Sequence, residues 1–286
     1  MTAKTTFNNK IIISSGDPNG IGIEVILKAL NSPNISLEKN IVIVGCKNTI
    51  FSTYKELKDS SLTKLIDPEQ LSIEDIPFEG EIKFGQPTKE SGRASYIWLQ
   101  HAIQILIKHK ARALVTAPIA KHAWHKAGYH YPGQTELLSK LTKSKKTSML
   151  FTAISPFSGW RLNTLLATTH IPLKQVSRKL NPQLIQSKLD ALAAFCLQFN
   201  PKPNLAIAGL NPHSGEKGLI GKEELEWIIP SLKKWRTEHP TIKLEGPIPP
   251  DTCWLAAAEA WHGKKKHSNT HDGILALYHD QGLIPV

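Results

Sequence analysis

Three histidines of this 286-residue chain each follow a short apolar stretch: His170 after Leu165–Thr168, His213 after Leu205–Ala208 and His279 after Ile274–Tyr278. Neutral imidazole is a common ligand of first-row divalent metals, and three imidazoles leave coordination positions open for a substrate. With 12 histidines in the chain, any single one is more simply a surface or hydrogen-bonded residue. Ligands this far apart in sequence also have no fixed spacing. What singles out the three is their shared placement, at the end of an apolar run and beside turn-forming or carboxylate residues. The chemistry they offer is one divalent metal ion.

The elements that must position them alternate. Ile11–Ser15, Ile41–Val44, Ala113–Thr116 and the three stretches above read as buried strands. Helices are expected over Ile21–Leu30, Glu90–His109, Pro182–Gln198 and Lys222–Glu238. The second carries Ala94, Ile97, Trp98, Ala102, Ile105 and Leu106 at helical spacing. Strands alternating with helices predict a layered α/β fold, in which ligand sites gather at the carboxyl ends of the strands. The turn Gly16-Asp17-Pro18-Asn19-Gly20-Ile21-Gly22 leads into a helix whose free N–H groups could hold an anion, though a tight turn requiring glycine geometry explains it equally well. It matches neither a Walker loop nor the dinucleotide fingerprint.

Composition narrows the partners. The net charge of +11 is spread along the chain, with clusters at Lys143, Lys145 and Lys146 and at Lys264, Lys265 and Lys266. Neither is interleaved with aromatic residues as a nucleic-acid stacking platform would be, so solvated surface is the simpler reading. No apolar run reaches the roughly 20 residues of a membrane span, and Met1–Lys10 does not read as a signal peptide. Cys46, Cys196 and Cys253 fit neither a disulfide framework nor a zinc knuckle, and the expected compartment is the cytoplasm.

Seven segments together resemble the 4-hydroxythreonine-4-phosphate dehydrogenase family, in order and with similar intervals. They are Ser15-Gly16-Asp17-Pro18-Asn19-Gly20-Ile21-Gly22, Val115-Thr116-Ala117-Pro118-Ile119-Ala120-Lys121, Pro132-Gly133-Gln134-Thr135-Glu136, Ala167-Thr168-Thr169-His170-Ile171-Pro172-Leu173, Gly209-Leu210-Asn211-Pro212-His213-Ser214-Gly215-Glu216, Gly246-Pro247-Ile248-Pro249-Pro250-Asp251-Thr252 and Tyr278-His279-Asp280-Gln281-Gly282. The resemblance implies a three-layer α/β/α fold like that of isocitrate and isopropylmalate dehydrogenases, with two subdomains and an active-site cleft between them. We expect residues 1–120 with 251–286 to form the first subdomain and 121–250 the second. It also implies a homodimer whose active site is shared, its metal ligands His170, His213 and His279 coming from both subunits.

The implied reaction is oxidation of the 3-hydroxyl of 4-phosphooxy-threonine by NAD or NADP, followed by decarboxylation to 3-amino-2-oxopropyl phosphate, in pyridoxal 5'-phosphate biosynthesis. The divalent ion (zinc, magnesium, manganese or cobalt) would serve as Lewis acid for both steps. Asp251 and Asp280 are candidates for orienting the histidines or for an outer ligand, and Lys121 for a cation or proton donor, or for a plain surface lysine. The family's substrate-contacting His-Thr pair falls on Gln134 and Thr135. Gln134 departs from the pattern, since an amide can hydrogen-bond but not transfer a proton. The family also continues past the point reached at Val286, so a shortened form of a longer protein is expected. Two alternatives stay open: a paralogue oxidising a threonate or erythronate phosphate, and a degenerate, non-catalytic binding protein. A polyanion-binding module is more distant.

Overall fold

Ile12 and Ile13 are neighbours in sequence and lie in different hydrophobic clusters, because successive side chains of a strand face opposite sides of its sheet. That alternation organises the computed structural model of the chain, which describes residues 7, 9–33, 35, 40–60, 64–144, 147–264 and 270–286. Lys145, Lys146, Lys265 and Lys266 of the two lysine clusters, and most of the polar N-terminal stretch, lie outside the described residues. The chain divides into two units, residues 1–145 and 146–286.

In the first unit, β1 (Ile11–Ser14), β2 (Ile41–Gly45), β3 (Ile73–Asp75) and β4 (Ala113–Thr116) form a parallel sheet in the order β3-β2-β1-β4. On one face Ile13 and Ile43 pack against Ile23, Ile26, Leu27 and Leu30 of α1 (Gly22–Leu30) and Ile50 of α2 (Lys47–Ser60). On the other, Ile12, Val42 and Val44 meet Ala94, Trp98, Ala102 and Ile105 of α3 (Lys89–His109). Thr88 and Ser91 start α3 with a reciprocal capping box, and Lys110 ends it in the left-handed region at φ 50°. The far side of α3 buries Leu99 and Ile103 against Trp124 of α4 (Lys121–Lys126) and Leu137 of α5 (Gln134–Leu141).

The second unit holds a five-stranded sheet in the order β5-β6-β9-β7-β8, from β5 (Met149–Ile154), β6 (Arg161–Leu166), β7 (Asn204–Ala208), β8 (Lys243–Ile248) and β9 (Gly273–Ala276). Only the edge strand β5 is antiparallel to its neighbour. Leu205 and Ile207 face the cluster formed by α7 (Pro182–Cys196) and α8 (Ile229–Glu238). Ala206 and Ala208 face the cluster of Cys253, Ala257 and Ala260 around α9 (Leu255–Trp261). Two short helices, α6 (Leu173–Lys179) and α10 (His279–Leu283), follow β6 and β9. Both units therefore have helices on both faces of a largely parallel sheet, as expected.

Two expectations are corrected. The division into 1–120 plus 251–286 and 121–250 does not hold. β9 is the central strand of the second sheet, its main chain satisfied by β6 on one side and β7 on the other. Residues 121–145 stay with the first unit, where α4 and α5 bury their apolar sides on α3. The helix expected over 222–238 begins instead as a π-helical turn, Glu224–Ile228, before α8. Pro230 has no N–H to donate, so a regular α-helical ladder cannot run through that point.

Candidate active site

β6, β9 and β7 are adjacent and parallel, so the segments leaving their carboxyl ends emerge along one edge of the second sheet. Those segments carry His170, His279 and His213. Hydrogen bonds from one tip to the next fix them. The hydroxyl of Thr168 donates to the carbonyl of Leu277 at 2.8 Å, joining the β6 tip to that of β9. The side chain of Gln281 accepts the N–H of Leu277 at 2.6 Å and donates to the carbonyl of Gly209 at 2.7 Å, joining β9 to β7. The N–H of Gly209 then donates to the carbonyl of Ile248, joining β7 to β8.

This lacing brings the His170 and His279 rings to 5.4 Å between centroids. His170 adopts the left-handed region at φ 38°, unusual for a non-glycine residue and a mark of a side chain held in place by its surroundings. Nδ1 of His279 lies 3.2 Å from Oδ1 of Asp280. A carboxylate there accepts, which assigns the proton to Nδ1 and leaves Nε2 with its lone pair free. Nδ1 of His213 faces Oδ2 of Asp251, after β8, at 3.6 Å, an ion-pair separation when the imidazole is charged. Each of the two candidate aspartates thus lies beside one of the histidines.

His213 opens a left-handed run. Residues 213–217 all have positive φ, and four of the five are not glycine. Left-handed helical backbone costs an L-residue about 1–2 kcal/mol, so the segment persists only where neighbours hold it. Gly215 is the crowded point: a Cβ there would sit 2.7 Å from the carbonyl oxygen of Gly221 and 2.9 Å from the Glu224 carboxylate. Ser214 donates its hydroxyl to the carbonyl of Pro247 at 3.1 Å.

The three histidines do not form one coordination sphere within this chain. Among the described residues, no group of three or more His, Cys, Asp or Glu side chains is arranged to hold a metal ion. His170 and His279 come together; His213 stands with Asp251.

The remaining candidates belong to the first unit. Gln134 and Thr135 are the first residues of α5, and Lys121 is the first of α4. Gln134 donates its amide N–H to the carbonyl of Ala117 at 3.1 Å. That orientation leaves its buried Oε1 without a partner. Thr135 and Lys121 are exposed. Next to Ala117 runs the Gly16 turn, where the N–H of Asp17 donates to the carbonyl of Pro118 at 3.0 Å. Gly16, at φ +75°, has no room for a Cβ, which would lie 2.3 Å from that same carbonyl oxygen. Asp17 is buried; its Oδ1 accepts from the N–H of Asn19, and its Oδ2 has no partner. β1 and β4 flank this place at the point where the strand order reverses, the usual ligand crevice of such sheets.

Sequence reasoning singled out the three histidines as candidates and missed Gln281 and Thr168, whose hydrogen bonds lace the tips. Gln281 was within reach, since it stands two residues beyond His279 in a quoted segment.

Comparison with known proteins places the chain in a family. The family described as pyridoxal phosphate biosynthetic protein PdxA matches residues 34–286. The 4-hydroxythreonine-4-phosphate dehydrogenase of Synechococcus sp. (strain RCC307) is 49% identical over 278 residues, covering 97% of this chain and 84% of its own length. The D-threonate 4-phosphate dehydrogenase of Pectobacterium atrosepticum is 34% identical, over 96% of this chain and 83% of its own. Among solved structures, the 4-hydroxythreonine-4-phosphate dehydrogenase of Klebsiella pneumoniae superposes with a TM-score of 0.79 at 29% identity, covering 99% of this chain and 83% of that one. With a family model over most of its length and relatives this similar, the chain belongs to the PdxA family of pyridoxal phosphate biosynthetic proteins.

Proposed function

We propose that the chain is a divalent-metal- and NAD(P)-dependent dehydrogenase that oxidises 4-phosphooxy-threonine at its 3-hydroxyl, the product then losing carbon dioxide to give 3-amino-2-oxopropyl phosphate. The observation that carries this reading is the lacing of three histidine-bearing tips along one sheet edge, with His170 and His279 in ring contact. The donor set fits a divalent ion: imidazoles, with Asp280 and Asp251 on the Nδ1 sides of His279 and His213. A divalent ion held there would supply Lewis-acid stabilisation to the substrate oxygen. The full set is proposed to form in a homodimer, with ligands from both subunits, as the family resemblance implies.

The chain's own residues divide the remaining work. Asp280 holds the His279 imidazole in the tautomer that presents Nε2, and Asp251 stands on the Nδ1 side of His213. Gln134, with its unpartnered Oε1, accepts a hydrogen bond from the substrate, and Thr135 offers a hydroxyl beside it. Lys121 supplies a cation. A nicotinamide cofactor, when bound, would supply the hydride acceptor.

The Pectobacterium relative and the amide at Gln134 favour one second reading, a paralogue acting on a threonate phosphate. Nicotinamide reduction measured on both phosphorylated acids, with magnesium, manganese, cobalt or zinc, tests both. Turnover of 4-phosphooxy-threonine alone supports the first reading, and turnover of threonate phosphate alone replaces it.

A further inference from the structure

Glu224 touches none of the candidate ligands, yet its carboxylate is 1% exposed and fully engaged. Oε1 accepts the main-chain N–H groups of Leu210 and Asn211, each at 2.8 Å, and Oε2 accepts Nδ2 of Asn211, also at 2.8 Å. These partners are the last residues before Pro212-His213. The same carboxylate walls in Gly215, in the middle of the left-handed run. Glu223 takes a further hydrogen bond from Asn211 Nδ2 at 2.8 Å. One buried side chain on the π-helical turn thus holds the chain both immediately before His213 and two residues after it.

Isolated burial of a carboxylate is unfavourable, and an apolar residue would serve a mere packing role at this position better. The arrangement makes sense where a strained main-chain path must be held to one course. We propose that Glu224 is a positioning residue for His213: it fixes the left-handed entry at Asn211–Lys217 and thereby aims the imidazole at the metal. The inference rests on the assignment of His213 as a ligand.

Cobalt(II) titration of the purified full chain tests it, with affinity and the visible spectrum of the bound ion as readouts and far-ultraviolet circular dichroism as the folding control. Glu224→Ala should weaken cobalt binding about 10- to 100-fold and alter the visible spectrum while the dichroism is retained. Glu224→Gln keeps an oxygen for Leu210 and Asn211 and should stay within about 3-fold of the parent, well short of the loss expected on removing such a support. Glu224→Asp keeps the charge but not the reach, and should bind as weakly as the alanine variant. It serves as the second probe if Glu224→Ala does not fold. Acting through His213, Glu224→Ala should add little to the loss already caused by His213→Ala. Parent-like binding by the alanine and aspartate variants, or full additivity with His213→Ala, overturns the proposal. Parent-like binding by His213→Ala itself overturns the ligand assignment instead, so the two failures are distinguishable.

Discussion

Gln281, two residues past His279, donates its amide N–H to the carbonyl of Gly209 at 2.7 Å, and so ties the strand end before His279 to the one before His213. Its Oε1 at the same time accepts the N–H of Leu277 at 2.6 Å. Gln281→Leu would leave two buried main-chain groups unpaired, at about 1–3 kcal/mol each. Urea unfolding should show a loss of about 2–6 kcal/mol with an unchanged slope. A loss below about 0.5 kcal/mol, the range of ordinary surface changes, would mean that the tips are not held by this residue.

Metal binding should depend on all three histidines. His170→Ala, His213→Ala and His279→Ala are each expected to lower affinity for zinc or cobalt by well over the roughly 10-fold that follows loss of a supporting residue. Calorimetric titration measures this directly, and unchanged affinity in any one removes that histidine from the site.

Shared ligation predicts complementation. Inactive His170→Ala and His213→Ala subunits, mixed and allowed to exchange, should recover up to about a quarter of the parent activity, because half of the dimers are hybrids and one of the two sites in each hybrid is intact. No recovery, with exchange verified by mass spectrometry, would place His170 and His213 in one subunit.

Gln134→Leu would remove the hydrogen bond to the substrate proposed for Oε1 without disturbing a proton donor. KM should rise about 5- to 10-fold, the worth of roughly 1–1.5 kcal/mol, with kcat little changed. A fall in kcat at constant KM would assign Gln134 to the chemical step instead.

Burial pushes the Cys196 and Cys253 thiols up to about 12. Their neutral form is favoured in the fold, so the stability they contribute is complete below the unfolded thiol value of 9.0 and is lost as pH rises from there toward 12. Native protein at pH 8 should react slowly with a thiol reagent at both positions and rapidly in denaturant. Rapid labelling of either in the native state would show that the hydrophobic cluster around it opens readily.

The strands and the histidines were legible because both follow local rules: apolar runs of strand length, each ending in a polar tip. Leu205–Ala208 and Ala113–Thr116 appear almost as read. β5 was not anticipated, because Met149–Ile154 at the sheet edge is only partly buried and its pattern is weak. The short α4 and α5 carry too few turns for a helical period to show. The division of the chain was misread for a different reason. Whether β9 joins one sheet or the other depends on which strand edges are open, which no local pattern records. Glu224 was invisible for a related reason: an acidic residue at the start of a helix ordinarily faces solvent, and only the tertiary structure reveals that its partners are main-chain N–H groups of another loop.

The central place of β9 has a consequence for biosynthesis. As the ribosome releases the chain, β6 and β7 appear long before the strand that must lie between them, with more than 60 residues separating β7 from β9. Until residues 273–276 emerge, each presents an open edge with no partner on that side. The first unit, whose four strands are complete by Thr116, can close while synthesis continues. The second must wait for its innermost piece, and the nascent polypeptide is most exposed to aggregation and to chaperone capture during that interval.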